Sequence, residues 1–119
     1  MRSRQDSYTR GWLAEYLAAG YLWVKGFQIL TIRYKTPLGE VDIIARRGEQ
    51  LIFAEVKYRP DLDEALYAVT PQAQNRIMRA AQLFMAEQKN MSLSARFDII
   101  AISPPFFIRH IENAWQPRS

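Results

Sequence analysis

Cysteine is absent from this chain of 119 residues, and histidine occurs once, as His110. Without thiols there is no disulfide framework, no thiolate nucleophile and no cysteine-based zinc site. A lone histidine excludes a His-paired metal site, and nothing around His110 gives it the role of a base, so it reads as an edge or surface residue. A glycine-rich phosphate loop, internal repeats and low-complexity tracts are missing too. Long apolar runs are scarce. The one candidate, Gly11 to Val24, follows Arg2 and Arg4 in the manner of a signal peptide. It contains Glu15, lacks a small-residue cleavage site and is short for a membrane span. It is expected to be a buried helix of a cytoplasmic protein with no membrane partner. Charge of one sign is also limited. The net charge of +4 permits a polyanionic partner such as nucleic acid but does not demand one.

The apolar and charged content is that of one soluble domain spanning 1–119, with 1–7 and 115–119 expected to be loose. From Tyr8 to Lys25 the pattern is helical, with Leu13, Leu17 and Tyr21 at fourfold spacing beside Ala14, Ala18 and Leu22, and Gly26 as the stop. Glu15 lies on or near the apolar face: either it is paired or metal-bound, or it sits at the edge and points to water. Phe27 to Tyr34 alternates as a strand, and Arg33 and Lys35 flank the turn that follows. Asp61, Asp63 and Glu64 suit a helical N-terminus better than a metal loop. Thr70-Pro71 is a helix start, with Thr70 as N-cap, and Ile77, Ala81, Phe84 and Met85 form the stripe of a helix ending near Lys89. On its polar side Gln74, Arg76 and Arg79 are either phosphate contacts or an ordinary solvated face. Ala95 to Ile102 reads as a strand buried on both faces, and Phe106 to Ile111 as a further one. Trp12, Trp23 and Trp115 are expected in core or edge packing, with an interface role as the alternative.

The stretch Gly39 to Arg59 carries the chemistry. It reads as two strands joined by a type II′ turn with Gly48 at its first central position. That register sets Asp42 opposite Glu55 and Glu40 opposite Lys57, with all four on one face. Val41/Val56, Ile43/Ala54 and Ala45/Ile52 fill the other. Facing carboxylates repel, so a divalent cation is the simplest neutraliser. Asp42 and Glu55 supply hard oxygens for Mg²⁺ or Mn²⁺, and the Val56 carbonyl another. Lys57 is placed to orient a water or to offset phosphoryl charge. The alternative is a solvated hairpin face with a Glu40–Lys57 ion pair.

The runs Lys25-Gly26-Phe27, Gly39-Glu40-Val41-Asp42-Ile43-Ile44-Ala45, Phe53-Ala54-Glu55-Val56-Lys57-Tyr58-Arg59 and Arg96-Phe97-Asp98, with Glu15 before Ala18, resemble the YraN family. Its members are small bacterial proteins similar to Holliday-junction resolvases of the PD-(D/E)XK nuclease superfamily. The resemblance covers nearly the whole chain. It implies an α/β, restriction-endonuclease-like mixed sheet in the order helix-strand-strand-strand-helix-strand, flanked by helices. It further implies a metal-dependent DNA endonuclease with Asp42, Glu55 and Lys57 as catalytic residues. Glu15 would join Asp42, Glu55 and Val56 at Mg²⁺ or Mn²⁺. Branched or single-stranded DNA would meet Arg33, Lys35, Arg59, Gln74, Arg76 and Arg79, with a homodimer expected if junctions are resolved. The alternative is a nucleic-acid-binding protein that keeps the nuclease fold with little turnover. The chain departs from the family pattern at Ala14, where Gly is usual, in the acidic Asp61 to Glu64 run, and at Ala73, where a Lys is usual.

Overall fold

A computed structural model describes residues 4–89 and 92–117, the side chains from Trp12 onward. The elements are α1 (Arg4–Val24), β1 (Gln28–Thr36), β2 (Gly39–Arg47), β3 (Gln50–Tyr58), α2 (Leu62–Tyr67), α3 (Pro71–Ala86), β4 (Ser94–Ser103) and β5 (Phe107–Trp115). The five strands form one mixed sheet in sequence order. All neighbours are antiparallel except β3 and β4, which run parallel across the α2–α3 crossover. Helix α1 packs on one face and α3 on the other. This is the expected mixed sheet between helices, extended by α2 and β5.

Local chemistry explains where the elements stop. Gly26 takes φ +97° after α1, its N–H donates to the Trp23 carbonyl, and the Phe27 N–H reaches back to Leu22. That is a Schellman closure, sealed by Phe27 and Leu22 in the same core cluster. The Asp61 carboxylate caps α2 by accepting from the Asp63 N–H, and the Thr70 hydroxyl caps α3 by accepting from Ala73. Gly48 has φ +61° at the β2–β3 turn, as a type II′ hairpin requires.

Several expectations are corrected. Helix α1 begins at Arg4, so residues 4–7 are helical; residues 1–3 and 118–119 lie outside the described residues. Trp115 is not loose: it ends β5, is buried, and stacks on Phe97 with ring centroids 5.5 Å apart. Helix α1 is only half buried, since Ala14, Ala18, Ala19 and Leu22 face the sheet while Leu13 and Leu17 are exposed. His110 lies on the edge strand β5, one of the two places expected for it, but its side chain is only 2% exposed and so is not a surface group.

Candidate active site

The β2–β3 register runs from Arg47/Gln50 to Ile43/Ala54, as the turn predicted. Beyond Ile43 the hairpin changes character. Ile43 and Ala45 pack with α1, but Val41 joins the cluster under α3. Residues two apart in a strand share a face, so this reversal marks a twist of the chain at Asp42. Neighbouring β1 reverses at the same level: Ile32 packs with α1, Tyr34 packs with the α3 cluster, and Arg33 between them has φ +61°. The expected grouping of Val41 with Ile43 and Ala45 is therefore overturned.

The twist frees Asp42 for another task. Its Oδ2 accepts the Val56 N–H at 2.8 Å, so a carboxylate stands where a β2 carbonyl would complete the ladder. A strand residue presents its N–H and C=O to the same neighbour, so the Val56 carbonyl faces the same gap. Glu55 follows β3 into this region with its side chain 13% exposed, and Lys57 Nζ lies 3.7 Å from its Oε1. Burial pushes the Glu55 carboxyl up to about 9, aided by a hydrogen bond to Asp42 and by that group's charge, while Lys57 pulls the other way. Glu55 thus stands beside Asp42 with its carboxyl raised well above the ordinary range.

Glu15 reaches the same place from α1. With Arg33, Lys35, Glu40, Val41 and Asp42 it lines a cavity of about 180 Å³. Its Oε2 accepts from Arg33 Nε at 2.6 Å, and the Arg33 guanidinium also lies 4.0 Å from the Trp12 ring centroid. Burial raises the Glu15 carboxyl above its usual range, Arg33 draws it back, and Asp42 raises it again. Among the described residues, no three acidic or histidine side chains converge into a ready cation cage.

Gly39 explains how α3 approaches this end of the sheet. A Cβ on Gly39 would stand 2.0 Å from the Arg76 carbonyl oxygen. Glycine is needed here for close approach rather than for an unusual φ, because the first turns of α3 rest on the start of β2. The Thr36 hydroxyl accepts from the Gly39 and Leu38 N–H groups and donates to the Gly39 carbonyl, holding the turn.

The six residues expected to meet DNA have different local partners. Arg33 is bound to Glu15, Arg59 donates to the adjacent Tyr58 carbonyl, and Gln74 donates to the Val69 carbonyl. Lys35 lines the Glu15 cavity, and Arg76 is exposed on α3. Arg79 lines a separate hollow beside Phe97.

A model of the family described as "Uncharacterised protein family UPF0102" matches residues 14–102. The chain belongs to the UPF0102 family. This is the YraN family to which the sequence pointed. A UPF0102 protein of Chelativorans sp. (strain BNC1) is 47% identical over 117 residues, covering 98% of this chain and 94% of that protein. A UPF0102 protein of Mesorhizobium japonicum is 43% identical, with the same coverage. One from Rhodopseudomonas palustris (strain BisB18) is 44% identical over 94% of this chain and 84% of its own length. The family match spans the Glu15, Asp42, Glu55 and Lys57 region, and Arg96 to Asp98 as well.

The sequence did not reveal the second polar cluster of this UPF0102 protein. Asp98 is fully buried on β4. Arg96 grips it with Nε at 2.9 Å and a terminal nitrogen at 2.8 Å, and the Asn113 N–H adds a third bond at 3.0 Å. His110 Nε2 lies 2.7 Å from Asp98 Oδ2, and its Nδ1 lies 3.1 Å from Lys25 Nζ. An ammonium only donates, so Nδ1 accepts and Nε2 carries the proton given to Asp98. Burial alone would raise the Asp98 carboxyl; the bonds from His110, Arg96 and Asn113 outweigh it and hold the group below its ordinary range. This network ties β4, β5 and the end of α1 together. The signal available was Arg96-Phe97-Asp98 itself, an arginine and an aspartate two apart on one face of a mostly apolar strand.

Proposed function

We propose that this protein is a divalent-metal-dependent, resolvase-like DNA endonuclease, with Asp42, Glu55 and Lys57 as its catalytic residues. One observation carries the reading: Asp42, its Oδ2 on the Val56 N–H at 2.8 Å, and Glu55, with the Lys57 ammonium 3.7 Å from its Oε1, stand together in a part-buried gap. Such a pair is held against its own repulsion, and a hard cation is the ligand that relieves it. The donor set fits Mg²⁺ or Mn²⁺, with Asp42 and Glu55 as carboxylate ligands and the Val56 carbonyl facing the same gap. Bound there, the ion would acidify a water and offset charge on the phosphoryl oxygens. Asp42 is oriented by the Val56 N–H, which leaves Oδ1 for the cation. Lys57 supplies a fixed positive charge that positions the attacking water and favours the more negative transition state. Glu15 completes the site from α1 once Arg33 releases it, and Lys35 and Arg76 are the cations best exposed to meet phosphates.

One observation favours a second reading, a nucleic-acid-binding protein with little turnover: Glu15 is clamped by Arg33 instead of being turned to the carboxyl pair. A panel of single-stranded, flap and four-way DNA, incubated with and without Mg²⁺, separates the two. The nuclease reading expects metal-dependent cleavage that Glu55→Ala and Lys57→Ala each reduce at least about 100-fold. Retention of DNA with no cutting in any metal supports the binder. Cutting that survives both substitutions at full rate comes from a contaminant.

A further inference from the structure

From Leu13 to Val24, helix α1 is apolar nearly all the way round. Its inward arc, Ala14, Ala18, Ala19 and Leu22, is buried on the sheet. Its outward arc carries Leu13, Tyr16, Leu17, Trp23 and Val24, which are 58, 55, 36, 70 and 78% exposed. At 3.6 residues per turn, these positions and Gly20 fill a continuous arc of roughly 120°. Between Leu13 and Val24 the one charged side chain is Glu15, and it is turned onto Arg33. A helix apolar on every side belongs inside a larger body or a membrane. Among the described residues no helix is long and apolar enough to cross a membrane, and α1 lies on the outside of its domain. Helix α3, on the other face of the sheet, follows the ordinary pattern, with Arg76 and Arg79 exposed.

We propose that the outward face of α1 is a twofold interface through which two copies of the chain pair, their α1 helices antiparallel. The spacing supports a helix as occupant, since Leu13, Tyr16, Gly20 and Trp23 follow the alternating three- and four-residue steps of a helix–helix seam. The pattern is also self-complementary. An antiparallel alignment centred at the level of Ala18 sets Tyr16 against Gly20 of the partner subunit, and Leu13 against Trp23 of the partner subunit. A twofold contact needs that reciprocity. Room for Tyr16 is present, because no heavy atom lies within 4 Å of where a Gly20 Cβ would stand. The area suits a second copy too. With aromatic side chains offering about 150–250 Å² each, the exposed parts of the five side chains total roughly 500–600 Å² per copy. That is a large share of the ~800 Å² one partner gives to a stable interface and stands at the upper end of the patch a typical monomer shows. The inference rests on α1 alone and stands apart from the catalytic reading.

Sedimentation equilibrium of the full chain, from about 1 to 100 µM, tests it. The wild type is expected to reach twice the 13.9 kDa chain mass. Trp23→Glu places a charge in the seam and weakens pairing at least about tenfold, with an unchanged far-ultraviolet circular dichroism spectrum. Gly20→Leu is the second arm. It adds a side chain to space that is open in the single chain and favours the helix, yet it occupies the room Tyr16 needs, so pairing again weakens about tenfold. Should Trp23→Glu fail to fold, Gly20→Leu decides. A wild type that stays at the single-chain mass overturns the proposal, as does a dimer that both substitutions leave intact. So does a monomer that co-sediments with vesicles of neutral and anionic phospholipid, which gives the face to a lipid surface.

Discussion

At the scale of single residues, Glu55 and Asp42 set the terms for any ion. A carboxyl held near 9 by burial and by its neighbour still carries its proton at neutral pH, so a cation that draws both oxygens must first displace that proton. Calorimetric titration with Mn²⁺ near pH 7.5, in two buffers of different ionisation heat, is expected to show release of close to one proton per ion bound. Asp42→Ala should abolish the binding heat, because it removes one ligand and lets Glu55 relax towards Lys57. Binding unchanged in Asp42→Ala rejects the site as described.

At the scale of elements, the close contact of α3 with β2 makes a sharp demand on one backbone position. Gly39→Ala puts a methyl group into the Arg76 carbonyl, which is backbone and cannot swing aside. The helix must shift, and unfolding by urea is expected to show a loss of about 1–3 kcal/mol. A loss below about 0.5 kcal/mol would mean that α3 rides freely on the sheet. Much of this scale was legible in the sequence, because its causes are local. Gly48 fixed the turn and hence the register that brings Asp42 near Glu55, and Asp61 and Thr70 announced α2 and α3. What stayed hidden depends on chain segments far apart. The reversal that sends Val41 and Ile43 to opposite faces answers a matching reversal at Arg33 on β1. Asp98 and His110 meet only because β5 folds back on β4, and Lys25 joins them from α1. The exposed side of α1 was hidden for another reason: pattern reading assumes that apolar residues find cover within their own chain.

At the scale of the whole molecule, Glu55 and Asp98 pull the pH dependence of folding in opposite directions. Asp98 is held below its unfolded value of 3.8, so its contribution is fully present above that pH and is lost as pH falls through the folded value. Glu55 is raised from 4.5 to about 9, so between those values the folded chain binds a proton that the unfolded chain has released. Stability then falls as pH rises, with a slope of order 1 kcal/mol per pH unit at most. The limb from Asp98 lies below pH 3.8 and the limb from Glu55 above pH 4.5, where the raised Glu15 carboxyl acts in the same direction. Glu55→Gln keeps a neutral group at every pH and should flatten the descending limb alone. With a chelator present the variant would melt higher than the wild type at pH 8 and alongside it at pH 4.5. Mn²⁺ reverses the order at pH 8, since only the wild type gains a ligand set by losing its proton. Thermal melts of both proteins across this range, with chelator and with Mn²⁺, measure the difference. A wild type whose melting temperature is flat from pH 5 to 8 in chelator would show that Glu55 ionises freely, and the crowding of carboxyls that calls for a cation would be gone.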